Sequence, residues 1–96
     1  MERDHADVVL ESIGANVHRL RVRLGLTQEA LAEAANISTG FLQRLERGKT
    51  NVGVVVLVRL ADALAVEPGA LLRRAELPEA TPGRPRKART KRQPQG

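Results

Sequence analysis

The sequence contains no cysteine, tryptophan or tyrosine, and its only aromatic residue is Phe41. Without cysteine there are no disulfides, thiolate metal sites or thiol nucleophiles, a composition that fits a reducing cytoplasm. One aromatic side chain cannot build a stacking platform for single-stranded nucleic acid, which argues against that binding mode and leaves Phe41 as packing at a helix edge. No apolar run approaches the ~20 residues that cross a bilayer, and the opening MERDHADVVLES has no basic stretch ahead of a hydrophobic one. Neither a membrane segment nor a secretory leader is expected, and a cytoplasmic protein is. His5 and His18 stand apart from any carboxylate or thiol constellation, and no glycine-rich phosphate loop follows a strand pattern. Both histidines are read as surface residues. No enzymatic activity, metal, cofactor or small-molecule ligand is expected.

What the chain does have is 96 residues, enough for one small domain, and a formal charge of +5 that is unevenly placed. Residues 1–77 hold ten Lys/Arg and ten Asp/Glu, whereas residues 78–96 hold six basic residues against Glu79 alone. The whole excess therefore sits in the tail. A neutral body with a cationic extension suggests a polyanionic partner, nucleic acid first and an acidic protein surface second.

Apolar residues Leu10, Ile13, Val17, Leu20 and Leu24 recur at steps of three and four, predicting a first helix over residues 8–24 that stops at Gly25. Thr27 then reads as the N-cap of a second helix over residues 28–35, with Leu31, Ala32 and Ala35 on its inner face. Asn36 falls where the chain needs positive φ, a conformation a short amide tolerates. Ser38 reads as the N-cap of a third helix over residues 39–47, whose inner face is Leu42 and Leu45 and which Gly48 terminates. The next segment, GVVVLVRLADALAV, has the β-branched density of a buried strand. It is nevertheless predicted as a helix, because Leu57, Leu60, Ala61 and Leu64 keep a helical interval and a lone strand would have no partner. Glu67-Pro68 looks like an N-cap and first helical position, starting a short fifth helix through Leu71 and Leu72. The expected organisation is thus an all-α domain over residues 8–75 and a disordered basic tail over residues 78–96.

The stretches LRVRLGLTQEALAEAANIS, LERGK and LADALAVEPGALL, spread over residues 13–72, together resemble the phage-repressor-like, or xenobiotic-response-element, helix-turn-helix family of transcriptional regulators. The resemblance implies a five-helix, lambda-repressor-like fold with residues 39–47 lying in the major groove of double-stranded DNA. It also implies that Thr39, Gly40, Gln43 and Arg44 face bases, that Gln28 contacts the phosphate backbone and braces the recognition helix, and that Arg21 and Glu46 form an internal ion pair. Three positions depart from the family pattern. Asn36 stands in for the usual turn glycine, and Gly53 stands where a serine commonly caps the fourth helix. Gly40 matters more, since a glycine inside the recognition helix weakens it by roughly 1 kcal/mol relative to alanine and offers no side chain to read a base.

Arg44 carries donors suited to guanine O6 and N7, and Gln43 suits adenine. Arg47 and Lys49 follow at the end of the helix, where contact with phosphate competes with a simple interaction with the helix dipole; Ser38 joins the contact set at the other end. In the tail, Pro82-Gly83-Arg84-Pro85-Arg86-Lys87 resembles the Gly-Arg-Pro core of minor-groove peptides, making Arg84, Arg86 and Lys87 candidate phosphate or minor-groove contacts. Val55, Val56 and Val58 exceed what one small core accommodates, so a homodimer on two half-sites is expected. The sequence accordingly reads as a sequence-specific DNA-binding transcriptional regulator, with a restriction–modification controller as one form. The alternative is an antitoxin or adaptor-type module whose tail captures an acidic protein.

Overall fold

Side-chain oxygens start the first three helices in the computed structural model, which describes residues 4–77. Asp4 accepts from the Asp7 N–H, Thr27 from Ala30 and Ser38 from Phe41, at 3.0–3.1 Å. Such caps contribute about 1 kcal/mol each by satisfying first-turn donors. They open α1 (His5–Arg23), α2 (Gln28–Ala35) and α3 (Thr39–Glu46). Gly53 and Glu67 precede α4 (Val54–Ala63) and α5 (Pro68–Leu71) without a side-chain cap, and Pro68 supplies the preset φ of a first helical position.

The helix ends follow one pattern. After α1, α2, α3 and α4 the chain enters the left-handed region at Gly25, Asn36, Gly48 and Ala65, with φ between 60° and 73°. Paired backbone bonds close each turn, for instance Ile37 N–H to Ala32 O and Asn36 N–H to Glu33 O after α2. Asn36 behaves as the sequence predicts. Ala65 does not announce itself, because nothing in an alanine signals a left-handed cap.

Several boundaries differ from the sequence reading, and α1 and α5, like α3, end one residue early, at Arg23 and Leu71. α1 begins at His5, three residues before the first apolar position, because the Asp4 carboxylate captures the Asp7 N–H and extends the helix into polar sequence. α3 ends at Glu46, with Arg47 as its C-cap. The valine-rich segment is a helix, and no strand occurs among the described residues.

The core draws on every helix: Ile13, Val17 and Leu20 from α1, Leu31 and Ala35 from α2, Leu42 and Leu45 from α3, Leu57 and Leu60 from α4, Leu71 from α5. Burial of each large aliphatic side chain contributes about 1.5–3 kcal/mol before entropy is set against it. α2 packs on both α3 and α4, while α1 lies across α3 and α5. Gly14 permits the α1–α3 crossing to be close: a Cβ there would collide with the carbonyl oxygen of Leu45 and lie 2.9 Å from that of Glu46. The surplus valines divide as their helical positions dictate. Val56 packs against the core, whereas Val54, Val55 and Val58 are exposed.

Candidate nucleic-acid interface

α3 is two helical turns long, and its inner side is fully committed. Leu42 and Leu45 are buried, and so is Glu46. What remains outside is a stripe at four-residue spacing: Thr39 and Gly40 half-exposed, then Gln43 and Arg44, then Arg47, all three exposed, with Lys49 exposed beyond the helix. No acidic side chain interrupts this outer face, since Glu46, the acidic residue of α3, points inward.

Arg44 does not project freely. Its guanidinium carbon lies 5.9 Å from the centre of the Phe41 ring, at the outer limit of a cation–π contact. Phe41 itself is half-buried against the core, so one apolar residue both closes the edge of α3 and steadies the arginine above it. Gly40 leaves open space beside this arrangement, the nearest atom to an added Cβ being an Arg44 terminal nitrogen at 3.7 Å.

Glu46 anchors the helix from beneath. Arg21 donates to both carboxylate oxygens, Nε to Oε2 at 2.6 Å and Nη2 to Oε1 at 3.1 Å, in the two-pronged geometry that suits a guanidinium. The same arginine donates through Nη1 to Leu26 O at 2.8 Å, tying the α1–α2 turn to this point. Gln28 Nε2 donates to Oε1 at 3.1 Å. Burial pushes the Glu46 carboxyl up, but hydrogen bonds from Arg21, Gln28 and His18, together with the Arg21 charge, outweigh it and hold its pKa below the usual carboxylate value.

His18 is a surface histidine, its side chain 40% exposed, and it adds a contact absent from the sequence reading: its Nδ1 lies 3.2 Å from Glu46 Oε1 and 3.3 Å from Arg21 Nη2. The ring donates to Glu46 with a proton on Nδ1 and accepts from Arg21 without one. A sequence signal existed, since His18 lies three residues before Arg21 and therefore on the same face of α1. Gln28 links the start of α2 to the end of α3 through its bond to Glu46, and Ser38 serves α3 as its N-cap. Arg84, Arg86 and Lys87 lie outside the described residues, as does the expected tail.

A helix-turn-helix domain family matches residues 12–75. The chain belongs to the helix-turn-helix family. Among its relatives is an HTH-type transcriptional regulator, y4dJ of Sinorhizobium fredii, 44% identical over 54 residues that make up 56% of this chain and 70% of the relative. Among solved structures, the restriction-modification controller protein C.AhdI from Aeromonas hydrophila aligns at 37% identity with a TM-score of 0.63, over 65% of this chain and 94% of the controller. The clp gene regulator ClgR from Corynebacterium glutamicum aligns at 34% identity with a TM-score of 0.65, over 67% and 68% of the two chains. Against two much longer curated regulators the chain spans only 10% and 12% of their length. In helix-turn-helix terms α2 and α3 are the two helices on either side of the turn at Asn36. No helix among the described residues is long and apolar enough to cross a membrane.

Proposed function

We propose that the protein is a sequence-specific regulator of transcription that places α3 in the major groove of double-stranded DNA. One observation carries this reading: α3 is held rigidly by its inner face while Gln43, Arg44 and Arg47 stand exposed in a line on the outer one. Gln43 and Arg44 would read base edges, Thr39 and the backbone at Gly40 would approach the bases or the adjoining sugars, and Arg47 and Lys49 would take phosphates. The α2 and α3 N-termini, at Gln28 and Ser38, would meet the backbone on the other side. Arg84, Arg86 and Lys87 would add phosphate or minor-groove contacts beyond the half-site. The domain over residues 8–75 would supply recognition and residues 78–96 supplementary affinity.

A homodimer would present two such helices to half-sites one helical turn apart. Support comes from α4, where Val54 and Val55 are 75% and 62% exposed and Val58 lies on the same outer side. A helix face of that composition gains from pairing with its own copy. The similarity to controller proteins favours control of a gene by the protein's own concentration, with no ligand or cofactor.

Selection of bound sequences from a random duplex pool tests this reading directly. The expected product is a two-part site whose halves are centred about ten base pairs apart. Arg44→Ala should relax preference at one base pair, by about 1–3 kcal/mol of discrimination, while Lys49→Ala weakens all sequences equally. Equal losses on selected and scrambled DNA for Arg44→Ala would remove its base-reading role. A pool that returns no enriched sequence overturns the function.

A further inference from the structure

Glu46 has more donors around it than it can use. Its Oε1 lies 3.1 Å from Arg21 Nη2, 3.1 Å from Gln28 Nε2 and 3.2 Å from His18 Nδ1, three groups for the two lone pairs of one oxygen. The guanidinium and amide nitrogens can only donate, so Arg21 and Gln28 fill Oε1 between them, while Arg21 Nε serves Oε2. An imidazole nitrogen has a choice. With its proton on Nε2, the His18 ring accepts at Nδ1 from Arg21 Nη2, 3.3 Å away. That arginine nitrogen carries two N–H groups, one for Glu46 and one for the ring. The hydrogen-bond pattern therefore assigns the proton to Nε2, since the other tautomer would press a third donor onto a filled oxygen. It also makes His18 dispensable to the anchor of α3, because Glu46 keeps Arg21 and Gln28 without it.

The consequence lies on the other side of the ring. The two nitrogens of an imidazole face away from one another, so an Nδ1 turned inward onto Arg21 sends an Nε2–H outward, and the side chain is partly exposed. His18 forms one wall of a surface hollow whose other walls are Gln28, Gln43, Glu46 and Arg47. Gln43 and Arg47 belong to the exposed stripe of α3, and Gln28 is the first residue of α2. A duplex laid along that stripe carries its backbone over this hollow. The charges there favour an anion: the Glu46 carboxylate is buried and paired with Arg21, and Arg47 stands exposed at the rim.

We propose that His18 is a DNA-contacting residue whose Nε2–H donates to a backbone phosphate seated in the hollow between α1, the start of α2 and the outer face of α3. The proposal rests on the major-groove reading above and extends it to a side chain of α1. A phosphate contact fixes where the duplex lies and carries no base information of its own. His18 accordingly sets the position of α3 along the groove, beside the base step that Gln43 meets.

Replacing each backbone phosphate of a site from the selected pool, one at a time, by an uncharged methylphosphonate tests the contact in the full-length protein. At one phosphate of each half-site the replacement should cost the parent about tenfold or more in affinity, the scale of a hydrogen bond to a charged partner. The same replacement should cost His18→Ala almost nothing beyond what that variant has already lost. His18→Gln should restore the parent pattern, because a glutamine amide nitrogen stands as many bonds from Cβ as Nε2 does. Base preference and Tm should be alike in all three proteins, since Arg21 and Gln28 still hold Glu46. His18→Phe, which keeps a ring but no donor, replaces the alanine variant if that protein is destabilised. A residue that only braced Glu46 would lower Tm and weaken binding by the same factor whichever phosphate is replaced. That result, or an alanine variant that binds as the parent does, overturns the contact and leaves the regulator reading standing. Failure to select any sequence removes both.

Discussion

Gly14→Ala is the substitution whose sign most clearly separates packing from propensity. Alanine in the middle of a 19-residue helix gains up to about 1 kcal/mol over glycine if nothing else changes. At this position the new methyl would meet the Leu45 and Glu46 carbonyl oxygens, which belong to backbone and cannot rotate away. Relief requires α1 to move off the end of α3, which loosens Val17 and Leu20 against Leu42 and Leu45 and stretches the 2.6 Å Arg21–Glu46 contact. Overpacking of a well-filled core costs about 1–3 kcal/mol, and disturbance of a buried, hydrogen-bonded ion pair adds to it. The net expectation is a loss of about 2 kcal/mol, or roughly 8–16 °C in Tm for a domain of this size. Gly40→Ala provides the control, because an added Cβ there meets only the movable end of Arg44. It should gain up to about 1 kcal/mol. Thermal and urea unfolding followed by far-UV circular dichroism would compare the three proteins. A Gly14→Ala protein as stable as the parent refutes the close α1–α3 crossing.

Acid should weaken the protein through Glu46. Its pKa is depressed in the folded state, so its contribution is complete above the unfolded value of about 4.3 and disappears as pH falls through the lower folded value. Urea unfolding between pH 3 and 7 should show that loss in the parent and a flatter profile in Glu46→Gln, and parallel profiles would contradict the assignment. Ala65→Gly should raise stability by about 1 kcal/mol, since Ala65 holds φ 60° and glycine meets no steric penalty there. An unchanged urea midpoint would place Ala65 outside the left-handed region in solution. Val55→Asp should convert a dimer into monomers at micromolar concentration by light scattering, with Tm largely preserved because the position is exposed. A monomeric parent would end the pairing proposal for α4.

The local features were legible in the sequence. Thr27 and Ser38 cap the helices they precede, Asn36 takes positive φ, and the helical interval of Leu57, Leu60, Ala61 and Leu64 prevails over the β-branched run beside it. Those features depend on neighbours three or four residues away, which the sequence displays. The features it concealed are long-range. Gly14 looks like a weakness in α1 until α3 is laid across it, and Ser12 and Asn16 look like ordinary polar residues until a segment about sixty residues later reaches them. His18 belongs to the same class, its partner Glu46 being supplied by a different helix. Three small or polar residues, Ser12, Gly14 and Asn16, interrupt the apolar stretch of α1 at alternate positions, and such an interruption is the one sequence-level trace of a crowded helix surface. On α3 the outward stripe was visible because the inward leucines define its complement. The seating of Arg44 on Phe41 was hidden because it depends on rotamers.

The side chains of Thr39, Gln43 and Arg47 appear in no described bond that holds helices together, whereas a single carboxylate at Glu46 joins three helices from the opposite side. If α3 reads DNA as proposed, recognition and architecture fall to separate sets of atoms within nine consecutive residues. Exchanging the outward set should then give proteins with new operator preferences on an unaltered frame, the property an interchangeable reading head requires.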